Sequence, residues 1–170
     1  MYKIIIGDAT KPILRPNEIA LIPHVCNTLG GWGAGFVLAL SKEFGDLPKE
    51  KYLKQIGLFP NKMDRLGKVS FTKMKEKRVI VANMIAQNGY MNKGNSRPLR
   101  YDALVQCMKL VAQQIEYLND INNSEQYFTI HTCKFGSDLA GGNWEFIECL
   151  IEDIWINAGI DVTIYEFEEK

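Results

Sequence analysis

His24-Val25-Cys26-Asn27-Thr28-Leu29-Gly30-Gly31-Trp32-Gly33-Ala34-Gly35-Phe36 is the stretch on which the reading of this chain turns. An apolar run, Ala20-Leu21-Ile22-Pro23-His24-Val25-Cys26, leads into the dense glycine loop. Beyond it, Phe36, Leu40 and Phe44 recur every four residues, the period of one helix face. The order is therefore buried strand, glycine loop, helix. Pro23 lacks an N–H for the ladder, which favours a bulge or an edge position there. Glycine lets backbone N–H groups approach a ligand closely, and the start of the following helix adds partial positive charge.

The same order returns later in the chain. Tyr127-Phe128-Thr129-Ile130-His131 reads as a strand and Gly136-Ser137-Asp138-Leu139-Ala140-Gly141-Gly142 as a second glycine loop. Ile147, Ile151 and Ile154 then mark a helix that Gly159 stops. Tyr2 to Ile6 predicts a first strand and Asp161 to Tyr165 a last one. Leu47 to Gln55 predicts a short helix after Gly45. Lys68 to Thr72 and Arg78 to Met84 predict two strands joined by a charged turn. Gln87 to Arg100 is a loop rich in Gly and Asn. Leu104, Met108, Val111, Ile115 and Leu118 keep 4-3-4-3 spacing, an amphipathic helix over Tyr101 to Leu118. Alternating strands and helices predict an α/β domain with a mixed, largely parallel sheet between helical layers. Two glycine loops at the carboxyl edge of such a sheet would make a crevice for a diphosphate. Neither loop has a Walker lysine, and neither matches G-x-G-x-x-G.

The 170 residues suit a single domain, residues 1–170, and 46% hydrophobic with 24% charged residues suits a soluble one. No apolar run approaches the ~20 residues that cross a bilayer, and the first residues lack a signal-peptide pattern. A cytoplasmic, monomeric protein without membrane contact is the expectation. Cys26, Cys107, Cys133 and Cys149 form no C-x-x-C pair, and His24 and His131 are the only histidines, so no metal site is expected. Charge is uneven: Pro60 to Arg100 carries ten Lys/Arg against Asp64 and Glu76, while Asp138 to Lys170 carries nine Asp/Glu against Lys170. A basic middle attracts anions, although much of it reads as solvated turn.

Four blocks together resemble the macrodomain family. Gly7-Asp8-Ala9-Thr10 resembles its opening Gly-Asp-Ile-Thr, and His24 to Asn27 with Gly31-Trp32-Gly33-Ala34-Gly35 resembles its first ligand loop. Asn83-Met84-Ile85-Ala86-Gln87-Asn88-Gly89 is similar to a middle strand and loop, and Leu139-Ala140-Gly141-Gly142-Asn143-Trp144 to the second loop. The likeness is nearest to the branch that processes ADP-ribose 1''-phosphate, and it spans Met1 to Tyr165.

The resemblance implies a three-layer α/β/α macrodomain that binds ADP-ribose or a derivative, free or on an ADP-ribosylated macromolecule, without a cofactor. It implies that Asp8, beside Ala9, accepts a hydrogen bond from the adenine amino group, and that Tyr165 packs on the adenine face. Asn27 would hold the distal ribose. Gly31 to Gly35, including Trp32, Gly33 and Ala34, would line the first loop, and Gly136, Ser137, Asp138, Leu139, Ala140 and Gly141 the second. Backbone N–H groups of Gly33 to Gly35 and of Ser137 to Gly141 would meet the diphosphate. His24 and Asn27 are implied catalytic groups, with His24 titrating near neutral pH without a large shift. Asp138 stands where the branch has glycine, so it either repels phosphate or shares acid–base work. Gln87 and Ala140 occupy positions where deconjugating branches carry lysine and aspartate. Three activities follow as expectations: a phosphatase for ADP-ribose 1''-phosphate, an ADP-ribosyl hydrolase, or a reader without turnover.

Overall fold

A computed structural model describes residues 1–123 and 125–168. Six strands form one sheet in the order β1-β6-β5-β2-β4-β3. They are β1 (Tyr2–Ile6), β2 (Glu18–Asn27), β3 (Val69–Met74), β4 (Val79–Gln87), β5 (Tyr127–Cys133) and β6 (Val162–Glu166). All neighbours run parallel except β3, which pairs antiparallel with β4 through the charged turn. This is the mixed, largely parallel sheet expected from the alternation of elements.

Side-chain alternation sends successive residues of each strand to opposite faces. Ala20, Ile22 and Cys26 of β2, with Val79, Val81 and Ile85 of β4, meet α1 (Phe36–Phe44) and α2 (Leu47–Gly57). Leu21, Ala82, Met84, Phe128 and Ile130 face the other way, toward α4 (Tyr101–Ile121) and α5 (Trp144–Ile151). Leu104, Met108, Val111 and Ile115 of α4 are all buried there, as their spacing predicts. Each such side chain contributes about 1.5–3 kcal/mol. Helices on both faces of the sheet complete the three layers.

Three details depart from the sequence reading. Pro23 lies neither at an edge nor at a bulge: β2 is flanked by β4 and β5, and its register against β4 shifts only between Cys26 and Asn27. The β2–β5 ladder stops at Leu21, and the Thr132 hydroxyl donates to the Pro23 carbonyl at 2.5 Å, so no ladder partner awaits the missing N–H. A one-turn helix, α3 (Lys62–Arg65), went unread because four residues carry no period. Finally, α5 widens into a π-turn over Glu152–Ile156. The wider turn puts Trp155 in the core, its Nε1 donating to Met108 O at 2.9 Å, and leaves Ile154 only half-buried.

Among the described residues, no helix is long and apolar enough to cross a membrane, and no cluster of three His, Cys, Asp or Glu side chains is placed to hold a metal ion.

Candidate functional site

The first glycine loop begins where the β2–β4 register shifts between Cys26 and Asn27. Asn27 then organises everything after it. Its Oδ1 accepts from Leu29 N–H at 2.9 Å and Gly31 N–H at 3.1 Å, and its Nδ2 donates to Gly31 O at 3.0 Å. Tyr52, wholly buried on α2, donates its hydroxyl to Asn27 O at 2.6 Å and accepts from Gly30 N–H at 3.1 Å. Arg65 of α3 braces the loop from below, donating to Thr28 O and Phe59 O, each at 2.7 Å. The amide side chain of Asn27 thus organises its own loop and keeps one Nδ2 hydrogen without an acceptor among the described residues. Past this scaffold, Gly33, Ala34 and Gly35 are exposed and, among the described residues, their N–H groups meet no acceptor. Gly35 enters α1 at φ 77° without a side-chain cap; Leu38 N–H donates to Gly35 O at 3.1 Å, while Phe36 and Val37 N–H meet no acceptor among the described residues.

The second loop is folded more tightly on itself. Gly142 N–H donates to Gly136 O at 2.8 Å and Gly141 N–H to Asp138 O at 2.9 Å. Gly141 is therefore no donor to a ligand, a correction to the expected amide set. Ser137, Asp138, Leu139 and Ala140 keep unpaired N–H groups among the described residues. Asn143 caps α5 by accepting from Phe146 N–H at 2.9 Å, so this helix start is closed where that of α1 is open.

Between the loops, at the carboxyl ends of β2, β4 and β5, lies a cavity of about 520 Å³. Its wall brings together His24, Asn27, Gly31, Gly33, Ala34, Gly35, Gln87, Gly136, Asp138, Leu139 and Ala140. Trp32 is not on it, because the indole turns into the core and donates to Ser41 Oγ at 2.8 Å. Ser137 also stands off the wall, as do Asp8, Ala9 and Tyr165 at the neighbouring end of the sheet. Asp8 closes a turn there, its Oδ1 accepting from the N–H and the hydroxyl of Thr10 at 2.9 and 2.8 Å. Tyr165 is 3% exposed, with its ring beneath Gly7, so it presents no open face for stacking. The exposed aromatic at that end is Phe167, just past β6, where Gly7 N–H meets Glu166 O at 2.9 Å.

Several wall residues went unread. Tyr90 and Met91 come from the loop after β4, which looked like plain connection, and half-exposed Tyr90 overhangs Gly31. Their signal was two large side chains in a Gly/Asn-rich loop. Cys133 and Lys134 sit where β5 outruns its expected end.

His24 occupies the cavity floor at 2% exposure. Asn83 donates its Nδ2 to Pro48 O and Ser70 Oγ, both at 3.0 Å, so its Oδ1 faces His24 Nε2 at 2.6 Å as an acceptor. The imidazole therefore carries its proton on Nε2 and turns an unprotonated Nδ1 toward the Cys26 thiol, whose Sγ lies 3.8 Å away. Burial lowers its pKa to about 4, against a partial rise from the Asn83 bond. The expectation of titration near neutral pH fails: the ring is uncharged at pH 7 and a weak base.

No protein-family model and no curated protein matches the chain. Solved structures do. A protein of unknown function from Bacteroides thetaiotaomicron shares 38% identity over 97% of each chain, with a TM-score of 0.81. A macrodomain protein from Streptomyces coelicolor shares 34% identity over 99% of this chain and 100% of that one, with a TM-score of 0.75. The chain belongs to the macrodomain family. More distantly, this macrodomain shares its fold with Thermosipho africanus DarTG in complex with ADP-ribose: 13% identity, 88% of this chain, 39% of that one, TM-score 0.59. In this macrodomain the two glycine loops flank the wall of a single cavity, and open N–H groups come from both.

Proposed function

We propose that this macrodomain binds ADP-ribose or a close derivative. The observation that carries the reading is the pair of open amide rows, Gly33 to Gly35 and Asp138 to Ala140, on either side of one cavity. Such rows suit a diphosphate, whose oxygens accept from several N–H groups at once. Asp8 leaves Oδ2 without a protein partner among the described residues, free for the adenine amino group, and Phe167 offers the exposed ring that Tyr165 does not. The distal ribose falls between Gln87, Tyr90 and the Asn27 loop.

Turnover at the distal ribose is the second part of the proposal, with ADP-ribose 1''-phosphate as substrate. Asp138 is an exposed carboxylate on the cavity wall, and His24 presents a neutral ring at its floor. Water attacks phosphorus as the bond from phosphorus to the anomeric oxygen breaks; Asp138 takes the proton of the water and passes it to the leaving anomeric oxygen, giving ADP-ribose and inorganic phosphate, while loop amides hold the developing charge. His24 is buried at the floor, so Asp138, exposed on the wall, carries the proton in this reading.

Calorimetry with ADP-ribose and AMP tests the binding. The expected result is micromolar affinity for ADP-ribose, about −8 kcal/mol, and far weaker AMP. Equal affinities would remove the two-loop grip, since AMP lacks the second phosphate and the distal ribose. Phosphate release from ADP-ribose 1''-phosphate tests turnover. Release of ADP-ribose from a conjugate instead makes the protein a deconjugating hydrolase, and tight binding with neither activity makes it a reader.

A further inference from the structure

The cavity leaves one polar cluster unused. Glu18, Thr129, His131 and Tyr165 are each 5% exposed or less, on β2, β5 and β6. By alternation they share the sheet face that carries α1 and α2, at the end those helices leave to the segment 8–17. Such a cluster is expensive to bury unless every group is paired. Here the groups are paired, and in a fixed direction.

A carboxylate only accepts. Glu18 Oε1 takes the Thr129 hydroxyl at 2.6 Å and His131 Nε2–H at 3.1 Å, while Oε2 takes Arg15 N–H at 2.7 Å. Burial opposes the charge on Glu18, but these bonds outweigh it and hold its pKa at about 2. With Nε2 donating, the neutral His131 ring has a bare Nδ1, so the Tyr165 hydroxyl must donate to it at 2.9 Å. Tyr165 oxygen is then left to accept from Ile13 N–H at 3.0 Å. The direction set by Glu18 thus passes through His131 and Tyr165 to the backbone of the 8–17 segment.

That segment begins at Asp8. Its turn is closed by Thr10 and by Lys11 N–H to Asp8 O at 2.9 Å, and Ile13 follows two residues on. On the other side of Asp8, a β-carbon on Gly7 would lie only 3.1 Å from the Tyr165 ring. Tyr165 therefore touches the chain on both sides of Asp8 without reaching the cavity. We propose that Tyr165, its hydroxyl oriented by Glu18 through His131, is a positioning residue that sets the Asp8 carboxylate for recognition of the ligand's base. The inference rests on the ADP-ribose reading, and it replaces the stacking role that the resemblance implies for Tyr165.

Tyr165→Phe keeps the ring and removes the hydroxyl. Two measurements apply to it: hydrogen exchange of the Ile13 amide, and the ratio of affinities for ADP-ribose and its hypoxanthine counterpart. Hypoxanthine carries an acceptor where adenine carries an amino donor, so the ratio reports the placement of Asp8 and not overall stability. The expected result is faster Ile13 exchange and a preference for adenine lowered by about 3–10-fold, with Asp8→Ala abolishing the preference. Glu18→Gln, which leaves Tyr165 intact, should move both readouts the same way and stands in should Tyr165→Phe fail to fold. Unchanged exchange in the folded variants overturns the anchor. Faster exchange with an unchanged ratio overturns the positioning role alone. A wild-type chain that binds no ADP-ribose overturns the cavity reading and the positioning role together.

Discussion

The two glycine loops have similar composition and similar context, each leaving a buried parallel strand and entering a helix, yet their glycines serve different ends. In the first loop, a β-carbon on Gly33 would meet nothing within 4 Å, and the helix behind it starts without a side-chain cap. In the second, a β-carbon on Gly141 would lie 2.7 Å from Ser96 O, and one on Gly142 would meet both Gly136 O and a methyl of Leu99. Asn143 caps the helix that follows. Glycine keeps the first loop open to a ligand and lets the second pack against the segment 96–99. Similar glycine content therefore says little about where a ligand goes; the space around each missing side chain decides it.

Gly142→Ala is the most damaging test of this contrast. The added methyl collides with a backbone carbonyl that is itself bonded to Gly142 N–H, so the loop must shift as a unit. Overpacking of this kind should cost on the order of 3 kcal/mol, read as a lower urea midpoint at unchanged slope. Stability equal to wild type would mean that the second loop is as loose as the first.

Gly33→Ala should do the reverse. The fold has room for the methyl, and stability should stay within about 0.5 kcal/mol of wild type. The methyl stands beside the open amides instead, and ADP-ribose affinity should fall about tenfold, or ~1.4 kcal/mol, by calorimetry. Full affinity in this variant would show that the first loop does not approach the ligand.

The strands, the long helix and both loops were legible because each rests on a local signal: alternation, a 4-3 spacing, or clustered glycine. Gly33 to Gly35 and Ala140, which those signals assign to the two loops, line one cavity. What stayed hidden depends on direction and distance. Trp32 sits in a ligand-loop motif, but Ser41 on the next helix turns its indole inward. Tyr165 looks like a ring for a base until Ile13 and His131 claim its hydroxyl. His24 looks like an acid–base group until burial and Asn83 fix it as a neutral donor. Asn27, Tyr52 and Arg65 build the first loop through partners that lie up to 37 positions away, and no period or motif announces such pairs.

The smallest expected effect on affinity concerns Asp138, the exposed carboxylate that interrupts the second amide row. On the proposed reading of the cavity as a diphosphate site, a negative charge on its wall repels the ligand, and water screens most of that repulsion because the group is exposed. At several ångströms and near-aqueous dielectric the penalty is below about 1 kcal/mol. Asp138→Asn should therefore tighten ADP-ribose by about 2–5-fold at low ionic strength. The gain should shrink as salt shortens the screening length toward the size of the site. Weaker binding would mean that the carboxylate accepts a hydrogen bond from the ligand, and the repulsion argument would fail. Turnover of ADP-ribose 1''-phosphate by the same variant separates the two roles. A base removed from the reaction should lower turnover by about 10²–10⁴-fold while binding improves. Tighter binding with unchanged turnover would leave Asp138 a tolerated substitution and return the proton transfer to His24, whose unprotonated Nδ1 has only the Cys26 thiol beside it among the described residues.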